Sequence, residues 1–204
     1  MKSKVFLFPL KTSLTLRKLA LPFHIFEARY RQMVNDALEQ QLPIAVLPVF
    51  DGRYQGRACY GGIPQLLHRY DDGRMEIAIS GDIRCRLGEV TQDHPYLVCE
   101  FEEESEDHKL SERSRFAREC IHEGLLSWGE QKIPGEDQLE TFKGMIADPE
   151  SLLSYGNLFL VDDIDQKMRV VEARSWEMKA EMIFKALGPK ELSLGPFLPP
   201  MKWK

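Results

Sequence analysis

The chain has 204 residues, of which 43% are hydrophobic and 29% charged, and this composition is typical of a globular protein with one large domain or two small ones. Its formal net charge of −5 argues against nucleic acid as the main partner, because a polyanion is bound best by a basic surface. The N-terminal apolar run at 5–10 is too short for a secretion signal, and no run is long enough to span a membrane. We therefore expect a cytoplasmic protein that does not bind membranes.

Short apolar and alternating segments fill the first half of the chain, which is typical of β-strands. The strands are predicted at 4–10, 43–50, 56–70, 74–80, 83–90 and 96–101. One helix is predicted at 27–40, where apolar residues recur at helical spacing. A helix after the first strand of a β-rich segment indicates a mixed pseudo-barrel. In the segment 83–90, alternation places Cys85 on the inner face and Arg84 and Arg86 on the outer face.

The composition changes at Glu102. The segment 102–113 is strongly acidic, which predicts a solvated linker. Beyond it, helical spacing and capping residues predict a bundle of four or five helices. The expected helix starts are Glu112, Glu136, Asp148, Asp163 and Ser175, and the last helix is expected to end at Gly188. We therefore expect an α+β fold with a β-rich part at 1–104, a helical part at 105–190 and a tail at 191–204.

The chain contains none of the common sequence motifs for catalysis or cofactor binding. No glycine is followed directly by lysine, as a phosphate-binding loop requires, and neither Gly-x-Ser-x-Gly nor His-Glu-x-x-His occurs. The acidic cluster at 162–165 lacks the glycine of a calcium loop and is better explained by helix capping. The four cysteines form no Cys-x-x-Cys pair and are expected to be buried thiols. The sequence therefore predicts a binding protein without catalytic residues, metal or cofactor, rather than an enzyme.

One stretch near the N-terminus combines many unlike residue types at fixed spacing. It comprises VFLFPL at 5–10 and LPFHIFEARYRQMVNDAL at 21–38. This stretch resembles the start of the N-terminal substrate-recognition domain of the Lon protease family. The matching residues are Phe8, Pro9, Leu21, Pro22, Ile25, Phe26, Glu27, Arg29 and Tyr30. Looser matches follow at 58–63, 72–84 and 148–152, so the resemblance covers nearly the whole chain. Arg17 and Lys18 replace the family's Pro-Gly turn, so the loop 11–20 is expected to differ in shape.

The resemblance implies a PUA-like mixed β pseudo-barrel with one inserted helix, followed by an α-helical bundle, which together recognise proteins. It does not imply proteolysis, because the ATPase and peptidase parts of a complete Lon enzyme are not in this sequence. We therefore expect a stand-alone, non-catalytic module that binds unfolded or client polypeptide, or a protease or chaperone partner. Its process would be protein quality control, or it would act as a protease adaptor.

Two aromatic residues are the candidates for a protein-binding surface. Phe50 and Tyr54 lie in the glycine-rich segment VFDGRYQGR, where aromatic side chains either project to solvent and bind a client or pack under the loop. The residues of the family motif are expected to build the fold instead, because periodic apolar positions usually form a core. This second group comprises Pro9, Pro22, Phe26, Glu27, Arg29 and Tyr30.

RNA binding is the alternative function, because PUA-like barrels elsewhere recognise RNA. A basic strand face would be needed for it. The arginines available for such a face are Arg69, Arg74, Arg84 and Arg86. If these side chains pair with acidic neighbours instead, no basic face remains, and the net charge favours that arrangement.

The C-terminal segment 191–204 is rich in proline and apolar residues, including Phe197 and Trp203. A segment of this composition is expected to occupy an apolar groove, either on its own domain or on a second copy of the chain. The second arrangement would make a homo-oligomer.

Overall fold

The computed structural model describes residues 3–50, 53–54 and 56–191, which form ten strands and six helices. The strands are β1 (Ser3–Pro9), β2 (Leu21–Ile25), β3 (Ile44–Leu47), β4 (Val49–Phe50), β5 (Arg53–Tyr54), β6 (Ala58–Gly61), β7 (Gln65–Arg69), β8 (Met75–Ile79), β9 (Ile83–Gln92) and β10 (Leu97–Glu103). The helices are α1 (Ala28–Gln40), α2 (Glu112–Lys132), α3 (Glu136–Ile146), α4 (Pro149–Phe159), α5 (Ile164–Glu172) and α6 (Trp176–Glu191). The predicted α+β fold is confirmed, while the part boundaries at 104 and 190 stay predictions.

Five strands form the main sheet, in the order β3-β1-β10-β9-β6. β1 runs antiparallel to β10 and parallel to β3, so the two ends of the β-rich half meet at the first strand. The two edges of this sheet also meet, because Ile44 and Gly62 exchange backbone hydrogen bonds of 2.9 and 3.0 Å. The sheet is therefore a nearly closed pseudo-barrel.

Strand β1 is buried on both of its faces, which explains its continuous apolar run. Val5 and Leu7 belong to one core cluster, together with Cys59, Cys85 and Cys99. The alternate residues, Phe6 and Phe8, belong to a second cluster with Met33 and Val34 of α1 and with the inner face of β8. The barrel thus has an apolar layer on each side of its first strand.

A separate three-stranded sheet, in the order β2-β8-β7, lies beside the barrel. The inner face of its central strand carries Met75, Ile77 and Ile79, all buried, as the alternation of this segment predicts. The outer face is left uncovered, and β2 and β7 are its edge strands. This sheet carries the surface described below.

Helices α2 to α6 form the bundle, whose core includes Ile121, Leu125, Leu153 and Ile183. Two predicted helix starts are confirmed by side-chain caps. Asp148 accepts a hydrogen bond from the backbone N–H of Ser151, and Asp163 accepts one from Gln166, both at 2.9 Å. Residues 192–204, and with them most of the predicted tail, lie outside the described residues.

Closure of the barrel requires glycine at position 62. A Cβ atom placed on Gly62 would lie 1.7 Å from the carbonyl oxygen of Ser80, so Gly62→Ala is expected to lower the free energy of unfolding by about 1–3 kcal/mol. Gly144 in α3 has nothing within 4 Å of such an atom, so Gly144→Ala is expected to raise it by about 0.5–1 kcal/mol. Urea unfolding followed by circular dichroism measures both, and equal effects would contradict this account of closure.

Candidate functional site

The predicted binding residues Phe50 and Tyr54 lie on a short hairpin. β4 pairs antiparallel with β5, with Val49 opposite Tyr54 and Phe50 opposite Arg53. The side chains of Phe50 and Tyr54 lie outside the described part of the molecule, as do residues 51, 52 and 55. Their role in binding therefore stays a prediction.

The motif at 21–30 leads from β2 into α1. Glu27 occupies the N-cap position of the helix, and the Nε atom of Arg29 donates to its carboxylate at 3.0 Å. The Arg29 guanidinium lies 4.6 Å from the centre of the Tyr30 ring, which is buried 4.7 Å from the ring of Phe8. Burial raises the pKa of Tyr30. Pro9 ends β1, and Pro22 lies in β2.

One aromatic residue of the motif lies at the surface. The side chain of Phe26 is 63% exposed and begins a line of aromatic rings across the outer face of the three-stranded sheet. The neighbouring ring centres are 6.3 Å apart for Phe26 and His24, 5.8 Å for His24 and Tyr70, and 4.4 Å for Tyr70 and His68. We call these four side chains the aromatic row.

The aromatic row is held in place by a carboxylate beneath it. The hydroxyl of Tyr70 donates to Glu76 at 2.6 Å, and Nδ1 of His24 lies 3.9 Å from the same carboxylate. The hydrogen bond to Glu76 raises the pKa of Tyr70, so its ring keeps a neutral hydroxyl. Two of the four rings, those of Tyr70 and His24, are therefore positioned by contacts with Glu76.

Exposed aliphatic side chains continue the aromatic row toward β7. Leu67 is 51% exposed, and Ile63 and Leu66 are exposed as well. Single exposed apolar residues are common on proteins, but a contiguous group of them marks an interaction surface. The local sequence contains one signal for this surface. Leu66 and Leu67 are adjacent in a strand, and because side chains alternate between faces, only one of the two could be buried on the inner face.

A second feature, a buried ionic cluster, joins the barrel to the helical bundle. It consists of Arg17, Tyr60, Arg84, Glu106, Glu150 and Lys179. The first three belong to the β-rich half of the chain, Glu106 lies in the segment between β10 and α2, and the last two belong to α4 and α6. Arg17 pairs with both Glu106 and Glu150, so the loop that precedes β2 is fastened to the bundle.

Glu106 lies at the centre of the buried ionic cluster, with no exposed side-chain surface. It accepts hydrogen bonds from the Tyr60 hydroxyl at 2.5 Å and from Arg84 at 3.3 Å, and it forms an ion pair with Lys179. Burial alone would raise the pKa of Glu106, but Lys179, Tyr60 and Arg84 outweigh burial and hold this pKa below its ordinary value. The carboxylate is therefore ionised at neutral pH.

Burial has the opposite consequence for Lys179. It lowers the pKa of the Lys179 amine to about 8, although Glu106 opposes the shift. Burial also raises the pKa of Tyr60, and Glu106 adds to the rise, so the Tyr60 hydroxyl stays protonated and donates. The cluster thus contains a lysine whose charge depends on pH within the range in which the protein is handled.

Arg84 connects β9 to the end of α5. Its guanidinium donates to the carbonyl oxygens of Val171 at 2.6 Å and Glu172 at 2.7 Å, and its Nε atom donates to Glu104 at 3.0 Å. A cation suits the C-terminal carbonyls of a helix. The space beside the cluster is about 20 Å³, enough for a water molecule but not for a substrate. A paired, buried network of this kind suits the joining of two parts of a fold.

One sequence prediction is wrong at this cluster. The segment 102–113 is not a solvated linker throughout, because Glu106 is buried and Glu104 is mostly buried, both as counter-ions of Arg84. Arg84 extends from the outer face of its strand, as predicted. The helical bundle covers this face, however, so the Arg84 side chain is only 1% exposed. One sequence signal was available. Lys179 shares a helical stripe with Ile183 and Leu187, both buried, and a lysine on such a stripe needs a buried partner.

The arginines considered for RNA binding do not form a free basic face. Arg69 donates to Asn35 at 2.8 Å, Arg74 pairs with Asp72 at 2.7 Å, and Arg86 pairs with Glu102. Arg84 is buried in the ionic cluster. The exposed arginines are thus paired with acidic or polar neighbours, and this arrangement does not support RNA binding.

Comparison with known proteins agrees with this geometry. The model of one family, the ATP-dependent protease La (LON) substrate-binding domain, matches residues 4–187. The fold is similar to that of the N-terminal domain of the Mycobacterium avium complex Lon protease, with 15% identity, a TM-score of 0.69, and coverage of 91% of this chain and 98% of that one. It is also similar to a Lon N-terminal domain protein from Xanthomonas campestris, with 15% identity, a TM-score of 0.65, and coverage of 90% and 98%. A comparison with curated proteins gave no match. None of the described helices has the length and apolar content needed to cross a membrane.

Proposed function

Since the chain belongs to the family of ATP-dependent protease La (LON) substrate-binding domains, we propose that it recognises unfolded polypeptide through the aromatic row and the exposed leucines beside it. A domain of this family is a substrate-recognition module, and its substrates are proteins. We further propose that the module works in protein quality control in the cytoplasm, as an adaptor that brings clients to a protease or chaperone.

The observation that carries the proposal is the exposure of Phe26 within the aromatic row. A phenylalanine that is 63% exposed has lost most of the stabilisation that burial would provide, about 1.5–3 kcal/mol for a large apolar side chain. Burial against apolar side chains of a partner would recover it. Unfolded polypeptides present such side chains, whereas folded proteins keep most of theirs in a core.

The double variant Phe26→Ser, Leu67→Ser is expected to bind unfolded polypeptide about tenfold more weakly or worse, because it removes the two most exposed apolar side chains of this surface. The measurement is biolayer interferometry with immobilised α-lactalbumin, reduced and carboxymethylated so that it stays unfolded. Stability should change little, because neither side chain is part of the core.

The matched control is Met145→Ser, Met178→Ser, which removes two side chains about half exposed on the helical bundle and should leave binding unchanged. The variant Phe50→Ala, Tyr54→Ala tests the hairpin. If the hairpin or bundle variant loses binding while the Phe26 and Leu67 variant keeps it, the aromatic row is not the recognition surface.

A further inference from the structure

The strand β7, at the edge of the three-stranded sheet, is open to solvent. Each residue from Gln65 to Arg69 is exposed, and in the described part of the chain this strand pairs with β8 alone. No backbone hydrogen bond outside that pairing involves these residues among those described. The outer edge of β7 therefore presents N–H and C=O groups that only water satisfies.

The other edges of the two larger sheets are closed or interrupted. The two edges of the main sheet meet at the Ile44 and Gly62 bridge. β2, the opposite edge of the three-stranded sheet, contains Pro22, which has no N–H to donate. Natural proteins also protect an edge with charged side chains, yet Arg69 is the one charged residue of β7, and its side chain is bonded to Asn35.

A backbone irregularity limits what β7 could pair with. The register with β8 shifts between Leu66 and His68, so the strand is a bulged one with two short regular stretches. A long, flat strand would not fit this edge. A partner of a few extended residues would, and such a partner would gain a few main-chain hydrogen bonds together with side-chain contacts.

Side chains on both faces of the sheet show what the partner would carry. On the outer face, His68 and Tyr70 end the aromatic row next to β7, and on the other face Leu66, which lies opposite Ile77, is exposed. Side chains of an added strand alternate between these faces, so apolar residues would find contacts on both. The nearby charges are already paired, with Arg74 on Asp72 and Arg69 on Asn35, so a strongly charged partner has no complement here.

We propose that the edge of β7 binds substrate by strand addition, pairing with a short extended, apolar segment of an unfolded polypeptide. This inference rests on the proposed function. It adds that the protein recognises the main chain of the substrate as well as its side chains. Folded proteins have already paired the backbones of their strands. An open edge therefore provides a second way, besides apolar side-chain contacts, to distinguish an unfolded client from a folded protein with the same sequence.

The test uses three versions of one fluorescent peptide, made of alternating valine and threonine and flanked by lysines. One version is unmodified. The other two carry methyl groups on one or the other alternate set of backbone nitrogens, which removes N–H donors and leaves the side chains intact. Fluorescence anisotropy with the full chain is expected to show a loss of affinity of about tenfold or more when the methylated set is the one that faces β7. Methylation of the other set should have a smaller effect.

A protein variant provides an independent arm. Leu67→Lys places a charge on the edge of β7 and should weaken binding of the unmodified peptide. Met178→Lys on the helical bundle should leave this binding unchanged. Equal affinity of the unmodified and both methylated peptides would overturn strand addition, as would failure of the unmodified peptide to bind a protein that still captures unfolded α-lactalbumin. Sedimentation velocity could instead show self-association that the peptide disrupts, together with no binding of α-lactalbumin. This result would assign the edge to a second copy of the chain and overturn the proposal that it binds substrate. Absence of α-lactalbumin binding in the wild type would instead contradict the proposed function itself.

Discussion

Replacing Arg84 by methionine is expected to lower the free energy of unfolding by about 3–5 kcal/mol, the cost of removing one partner from a buried ion-paired network. The methionine keeps much of the apolar stem but cannot donate. The carbonyl oxygens of Val171 and Glu172 would lose their hydrogen bonds, and Glu106 would lose one of its counter-ions. Urea unfolding at pH 7, followed by circular dichroism, measures the change.

A matched control lies two residues away on the same strand. Arg86 also pairs with a glutamate, Glu102, but both of these side chains are more than half exposed. An exposed ion pair contributes little, so Arg86→Met should cost less than about 1 kcal/mol. Similar losses for the two variants would show that burial of the ionic cluster does not determine the stability of the fold.

Replacing Glu106 by glutamine should have a comparable effect at neutral pH, a loss of about 3 kcal/mol or more. Glutamine has nearly the same shape but no charge, so Arg17, Arg84 and Lys179 would lose the carboxylate that they share. Glu102→Gln is the exposed control and should change the free energy of unfolding little.

The loss caused by Glu106→Gln should depend on pH and be largest near neutrality. The folded pKa of Glu106 is below its ordinary value of 4.5, so the stability this group provides is present above its unfolded pKa. That stability is lost as the pH falls through the folded pKa. The free energy of unfolding of the wild type therefore approaches that of the Glu106→Gln variant at acidic pH.

At alkaline pH the difference should shrink for another reason. The folded pKa of Lys179, about 8, is below its ordinary value of 10.5, so the unfolded chain binds more protons than the folded one between these values. Stability from this group therefore rises with pH in that window. Without Glu106, the Lys179 amine should lose its proton at lower pH, so the variant regains stability earlier than the wild type. Urea unfolding at pH 4, 7 and 9 tests this, and a loss that is the same at all three would contradict the assigned role of Lys179.

Local patterns in the sequence predicted those parts of the fold that depend on near neighbours. The alternation at Met75, Ile77 and Ile79 predicted a half-buried strand, and the carboxylates of Asp148 and Asp163 predicted helix starts. The family motif predicted the architecture through its resemblance to a known family.

The ionic cluster could not be predicted in the same way. Arg84, Glu106 and Lys179 are far apart in the chain, and Arg84 and Glu106 look ordinary beside their sequence neighbours. The apolar stripe around Lys179 indicates that this lysine needs a buried partner but does not identify that partner. An arginine on the polar face of a strand is expected in solvent, and only the position of the bundle buries it. Phe26 is the converse case, since its motif suggests a role in building the fold, while its exposure follows from the uncovered outer face of the three-stranded sheet.

The pairing of β1 with β10 has a consequence for how the chain reaches its native state. Ser3–Pro9 is made before its antiparallel partner, Leu97–Glu103, so this pairing waits for most of the β-rich half to leave the ribosome. Contacts so distant in sequence close large loops and slow folding. The pairing of β1 with β10 is therefore a late event, and a nascent chain of this protein exposes an apolar strand of the kind that chaperones bind.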